Sequence, residues 1–178
     1  SYRASMVRIV RLFALIFSIL MPGIYVALQE HHYQLFPIKY LVSVLGQITN
    51  IPLSPLLEML FVLVIFEILN ETSIRMPRYV SMALSVVGAI ILGEAAVTAG
   101  LFSISSVIIV AISTVGLYCI PDEINSSSIL RFAFVAVGGV LGIVGILLVM
   151  TGVLAYLCSI NSYGIAYMSP FAPSLIHD

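Results

Sequence analysis

The sequence predicts an all-α, polytopic integral membrane protein with four or five transmembrane helices plus interfacial or re-entrant segments. Three observations carry this. Of 178 residues, 61% are hydrophobic and only 8% charged, where a soluble domain carries about 25% charged residues to hydrate its surface. The mean hydropathy is +1.18. Several apolar runs also approach the roughly 20 residues that a helix needs to cross a bilayer. The net charge of -1 leaves no basic surface for displacing counterions from a nucleic acid.

The first span covers about 7–28, with Arg3, Arg8 and Arg11 on its N-terminal side, the side that the positive-inside tendency places in the cytoplasm. Pro22-Gly23 late in this span predicts a kink or local unwinding. Residues 29–52 are more polar, and Tyr40 to Ile48 suits a short helix lying on the membrane. A marginal span at about 53–70 is interrupted by Glu58 and Glu67, so it crosses the bilayer, lies in the interface, lines a wet cavity or packs in an oligomer.

Clear spans follow at about 79–98 and 103–120, separated by a break at Ala99-Gly100, and Pro121-Asp122-Glu123 stops the second of them. Arg131 opens the last apolar stretch, about 129–157, which is long enough to span with tilt or to project beyond the bilayer. The end, Asn161 to Asp178, reads as a loop or interfacial segment. Residues 1–178 form a single transmembrane domain. The opening Ser1-Tyr2-Arg3 carries no initiator Met and no cleavable signal pattern, so the chain reads as the membrane region of a longer protein.

Catalytic patterns are missing: there is no His-Glu-x-x-His, Gly-x-Ser-x-Gly, phosphate loop or Cys-x-x-Cys. On a helix His31 and His32 would diverge by about 100°, a poor arrangement for a metal. Cys119 and Cys158 read as small buried hydrophobes. No enzyme, cofactor or metal site is expected.

Small residues form stripes at helical spacing. Gly138, Gly142, Gly145 and Gly152 share one face of the last span, and Ser81, Ser85, Gly88, Ala95, Ala96 and Ala99 one face of the 79–98 span. Such faces let helix backbones approach closely in lipid, within one subunit or between two. In the 103–120 span, Ser103, Ser106, Val110, Ser113, Thr114 and Leu117 cluster within about 100° of arc. A hydroxyl face wets a pore, and Val110 or Leu117 would be its dewetting constriction. The competing reading is that the hydroxyls bond back to their own helix carbonyls.

The acidic residues are the sharpest polar features. Glu58 and Glu67 lie about 180° apart on a helix, whereas Glu67, Glu71 and Arg75 form a row of charge. Glu94 sits near the end of the 79–98 span, opposite its small-residue stripe, and a carboxylate there needs a partner, a proton or water.

Read in order, these residues resemble the A subunit of GerA-type spore germination receptors, a family that also takes in a related stage V sporulation protein. The matching elements are Pro22-Gly23-Ile24-Tyr25-Val26-Ala27, His32 ahead of Pro37, Ile51-Pro52, Glu58, Phe66-Glu67-Ile68-Leu69, Glu71 and Arg75-Met76-Pro77. The densest stretch is Ser85-Val86-Val87-Gly88-Ala89, Gly93-Glu94-Ala95-Ala96-Val97 and Ala99-Gly100-Leu101. Ile120-Pro121, Leu130-Arg131-Phe132, Ser162-Tyr163-Gly164 and Ser169-Pro170 complete it.

The resemblance covers nearly the whole chain and corresponds to the family's membrane region, without its N-terminal cytoplasmic domain and C-terminal tail. The chain departs from the family pattern at Leu63 and Asn70, where an acid and an arginine are common. That is consistent with a salt bridge removed as a pair. It departs again at Gln34 and Ala166.

The resemblance implies a subunit of a nutrient-sensing germinant receptor in the spore inner membrane of an endospore-forming bacterium. Its implied partners are a transporter-fold B subunit, a lipoprotein C subunit and further copies of itself, plausibly five, forming a ligand-gated cation channel. Glu58, Glu67, Glu71, Arg75 and Glu94 would then be the functional polar set. A non-conducting structural subunit is the first alternative and a secondary transporter the second.

Overall fold

Capping chemistry sets several helix ends. In the computed structural model α1 (Tyr2–His31) is followed by a 3-10 turn (Tyr33–Leu35) and then α2 (Pro55–Arg75). Ser54 caps α2, its Oγ accepting from the Leu57 N–H at 3.4 Å, and Pro55 occupies the first turn, where a missing N–H is harmless. Pro77 ends α2 and opens α3 (Arg78–Ile90), which widens into a π-helical turn over Ile91–Ala96. Gly100, at φ 71°, then terminates the segment. Its N–H reaches the Val97 carbonyl and the Leu101 N–H reaches the Ala96 carbonyl, the paired bonds of a glycine-terminated helix. α4 (Ile104–Leu117) starts on the Ser103 cap, and α5 (Ile124–Ser159) is the longest helix. A short antiparallel pair follows, β1 (Asn161–Ser162) with β2 (Ile165–Ala166).

The structure describes residues 2–31, 33–35, 37–39, 42, 46, 51–118, 124–159, 161–162 and 165–166. The surface helix expected over Tyr40 to Ile48 lies largely outside them. So do His32, Cys119, Pro121-Asp122-Glu123 and most of the tail.

Among the described residues three helices are long and apolar enough to cross a membrane: Met6–His31, Arg78–Ala96 and Ser126–Ser159. α2 carries Glu58, Glu67, Glu71 and Arg75 and is not among them, and α4 is shorter, with 14 residues. α2 is nonetheless central. Met59, Val62 and Leu63 are fully buried and pack with Tyr25, Val26, Val110 and Val135 in the main core.

Contacts between helices fix their directions. α1 ends beside the start of α2, where Glu30 accepts from the Leu56 N–H at 3.2 Å. α2 and α4 run parallel, bonded at one end through Glu58 and Ser103 and at the other through Asn70 and Tyr118. α1 and the first part of α5 also run parallel: Gly23 lies against Phe134 and Gly138, and His31 against Gly142. A Cβ at Gly138 would stand 2.8 Å from the Gly23 carbonyl oxygen, so the two backbones touch as small residues permit.

α5 is not one straight span. Gly142 takes φ 66° and ψ -151°, a region that side chains other than hydrogen essentially never occupy. Past it the chain turns back on itself: a Cβ at Gly145 would lie 2.9 Å from the Val137 carbonyl oxygen, and Ile146 packs over Gly138. On a straight helix residues eight apart are separated by about 12 Å. The expected single long span is therefore two helical limbs joined at Gly142. α1 continues as one helix through Pro22, so the local unwinding expected there as an alternative to a kink does not occur.

Candidate functional site

Pro22 has no N–H to offer the carbonyl of Ser18, four residues earlier, and in an apolar bundle an unpaired carbonyl is costly. The structure fills the vacancy from α4: Ser113 Oγ donates to the Ser18 oxygen at 2.6 Å. Ser18, Pro22 and Ser113 are all fully buried. This bond lets α1 continue through its proline and draws the hydroxyl face of α4 inward.

Ser113 then serves a second group. Arg131, on α5 and only 1% exposed, donates through Nη1 to Ser113 Oγ at 3.2 Å and to Thr114 Oγ1 at 3.0 Å. Its Nη2 reaches Glu67 Oε2 at 3.3 Å, and the same oxygen accepts from Ser128 Oγ at 3.0 Å. Glu67 keeps 32% of its side chain exposed. The buried Nε of Arg131 has no partner among the described residues. One turn along α2, Asn70 Oδ1 accepts from the Tyr118 hydroxyl at 2.9 Å. α2, α4 and α5 thus meet at one guanidinium, with α1 tied in through Ser113, and the polar groups there offset part of its desolvation.

A second polar joint lies toward the other end of α2. Glu58, 1% exposed, accepts from the Ser103 N–H at 2.6 Å and from its hydroxyl at 2.8 Å. Ser103 Oγ lies 2.8 Å from Ser106 Oγ and accepts from the Ser106 N–H at 3.2 Å. The carboxylate therefore sits on the N-terminal end of α4, where unsatisfied N–H groups favour negative charge. Glu58 has a structural partner in that helix end.

The hydroxyl face expected to line a pore is placed as follows. Ser103, Ser106, Val110, Ser113, Thr114 and Leu117 are all buried within the chain. Thr114 also bonds back to the Val110 carbonyl at 2.8 Å. Within the single chain the face packs into the bundle, where the Ser113 hydroxyl donates to the Ser18 carbonyl and the Ser113 and Thr114 oxygens accept from Arg131.

The expected row of Glu67, Glu71 and Arg75 divides. Arg75 Nε pairs with Glu71 at 2.6 Å in an exposed position, where such pairs contribute little, and Glu67 turns to Arg131. Glu94 stands exposed on the π-helical turn, away from both joints. Of the small residues, Gly88 is buried against Leu69 and Ser85 is exposed, bonding to the Ser81 carbonyl. Gly138 meets α1, Gly142 forms the break, and Gly145 packs on the preceding limb of its own helix. Leu63 and Asn70, paired departures from the family pattern, are both buried.

Sequence reasoning missed Arg131 as a site residue, and with it Ser18, Tyr118 and Ser128. A signal existed. Arg131 is one of seven Lys and Arg residues and stands inside an apolar stretch, where an ionisable group needs a partner.

Comparison with known proteins decides the family. The model of the Bacillus/Clostridium GerA spore germination protein matches residues 1–178. The chain belongs to the GerA family. It is 37% identical over 172 residues to spore germination protein KA of Bacillus subtilis (strain 168), covering 96% of this chain and 32% of the relative. It is 36% identical over 173 residues to spore germination protein GerQA of Bacillus cereus, covering 96% and 35%. It is 31% identical over 176 residues to GerLA of the same species, covering 98% and 36%. The chain thus spans about a third of the length of these GerA relatives. No solved structure matches it.

Proposed function

We propose that this chain is the membrane region of a nutrient-sensing spore germinant receptor subunit, and that copies of it assemble in the spore inner membrane into a ligand-gated cation channel. A transporter-fold B subunit and a lipoprotein C subunit are its partners, and a pentamer is the proposed ring. The observation that supports gating is Arg131. Its 3.3 Å contact to Glu67 is long for an ion pair, and its Nε lacks a partner among the described residues. A small relative shift of α2 and α5 would tighten or release this pair. Packed elements with two discrete arrangements are what a ligand bound to a partner subunit biases.

A non-conducting structural subunit is the second reading. It is favoured by the inward bonding of Ser113 and Thr114, which holds that hydroxyl face inside the chain. The break at Gly142 is a feature shared with secondary transporters, whose broken helices occur in paired repeats.

The deciding experiment is the mass and shape of the full-length chain in lipid nanodiscs, followed by ion flux from the receptor complex in vesicles supplied with nutrient. A closed ring that passes cations only with nutrient supports the channel. A monomer, or a ring that stays tight, leaves the structural role.

A further inference from the structure

α3 and its π-helical turn form the least covered of the three membrane-length helices. Only 17% of its span is buried against the rest of the chain, against 33% and 39% for the other two. Gly88, Leu92 and Ala96 face inward. The opposite surface carries Val87, Ile90, Ile91, Glu94 and Thr98, all exposed. The Glu94 carboxylate makes no hydrogen bond or ion pair among the described residues. It borders a groove of about 510 Å³ lined by Ile90, Glu94, Ala95, Thr98 and Ala99.

Depth makes this position informative. Glu94 lies sixteen residues past Arg78, about 24 Å along the helix axis, inside a hydrocarbon layer about 30 Å thick. A carboxylate facing acyl chains there is unfavourable unless it meets water or a partner. The π-helical turn is a second, independent mark. Such turns are rare, often fall at functional sites, and this one runs from Ile91 to Ala96 with Glu94 inside it. Thr98 adds a hydroxyl above Glu94, and Ile90, Ile91 and Val87 follow below it. The order along this face is polar mouth, then apolar constriction, a sequence that concentrates ions and gates by dewetting.

We propose that this face of α3, and not the buried hydroxyl face of α4, lines the water-filled path between copies, with Glu94 as the site that concentrates hydrated monovalent cations. The inference rests on the channel reading above. One carboxylate per copy, repeated around a ring, gives a cation-selective mouth of fixed charge. Ile90 and Ile91 beneath it form the apolar ring that closes the path when the copies draw together.

The test uses the full-length chain in its receptor complex, reconstituted in vesicles with a potassium chloride gradient and stimulated with yeast extract. The background carries Cys119→Ser and Cys158→Ser. Glu94→Gln should lower potassium flux relative to chloride at least about threefold at low ionic strength, as expected when fixed charge in a cleft raises local counter-ion concentration. Glu94→Asp should keep it. In Glu94→Cys, an anionic thiosulfonate should restore potassium flux and a cationic one should depress it further, a dependence on sign that a purely structural role would not show.

Selectivity unchanged in Glu94→Gln, no reaction of Glu94→Cys with aqueous reagents, or failure of every Glu94 variant to assemble would each overturn the proposal and leave the channel standing. A wild-type complex that passes no potassium under stimulation overturns the channel reading itself.

Discussion

Ser113 donates its hydroxyl to the Ser18 carbonyl, the oxygen that Pro22 leaves without its helical N–H. One hydroxyl on α4 therefore supplies the bond that α1 lacks where it continues through its proline. It also presents its lone pair to Arg131. Two long-range consequences hang on this side chain.

Replacing Ser113 with Ala should destabilise the folded chain by about 1–3 kcal/mol, the usual effect of stranding buried polar groups. Pro22→Ala returns an N–H to Ser18, so in that background the Ser113→Ala loss should shrink by about 1 kcal/mol, with the Arg131 contribution remaining. Denaturant unfolding of the four variants in detergent measures the coupling. Equal losses in both backgrounds would mean that Ser113 does not replace the missing bond.

Arg131 and Glu67 should respond asymmetrically. Glu67 keeps about a third of its side chain exposed while Arg131 is almost wholly buried. Glu67→Leu strands a buried guanidinium and should cost about 3 kcal/mol or more. Arg131→Met leaves a partly exposed carboxylate that keeps its bond from Ser128, and should cost less. The double variant should recover most of the Glu67→Leu loss, because an ion pair replaced as a unit leaves no orphan. Thermal unfolding of the three proteins gives the order, and a double variant as unstable as Glu67→Leu would contradict it.

What was legible in the sequence was local. The Ala99-Gly100 break depends on a few adjacent residues, and the close approach of α1 and α5 rests on glycines whose spacing is visible. The rest depended on partners far along the chain. Glu67 was read with Glu71 and Arg75 because they share a helix face, yet a buried cation sixty-four residues away bonds it instead. Gly142 was read as a packing glycine, since the same spacing serves a helix that packs and one that breaks. The hydroxyls of α4 were read as bonding back to their own helix ahead of lining a pore, and the long-range partner of Ser113 is set by Pro22, in another helix.

Val110 separates those two readings directly. As a pore constriction, its replacement by a small residue would produce a leak. In the structure it is fully buried among Tyr25, Met59, Val62 and Val135 in the main core. Val110→Ala should therefore lower stability by about 2 kcal/mol through lost packing and a residual cavity, with reduced receptor abundance and no spontaneous germination. Immunoblots of spores beside a germination assay without nutrient check both halves. Nutrient-independent germination at normal abundance would return the gate to α4.

Gly142 sets which side of the membrane the second limb of α5 reaches. Arg8, Arg11, Arg75 and Arg78 gather at one end of the bundle, at the start of α1 and the turn between α2 and α3, the end expected in the cytoplasm. The first limb of α5 leaves that end with α1, and the reversal at Gly142 sends the second limb back toward it. Cys158, exposed near the end of α5, should then be labelled by a membrane-impermeant maleimide from the cytoplasmic side in inverted vesicles and be protected in right-side-out ones. Gly142→Ala forces a methyl group into a glycine-only conformation beside His31. It should cost about 1–3 kcal/mol of strain and loosen the reversal, so that Cys158 labelling becomes mixed or the protein is lost. Labelling of wild-type Cys158 from the outer side alone would mean that α5 crosses once, and that the turn at Gly142 bends the helix without reversing it.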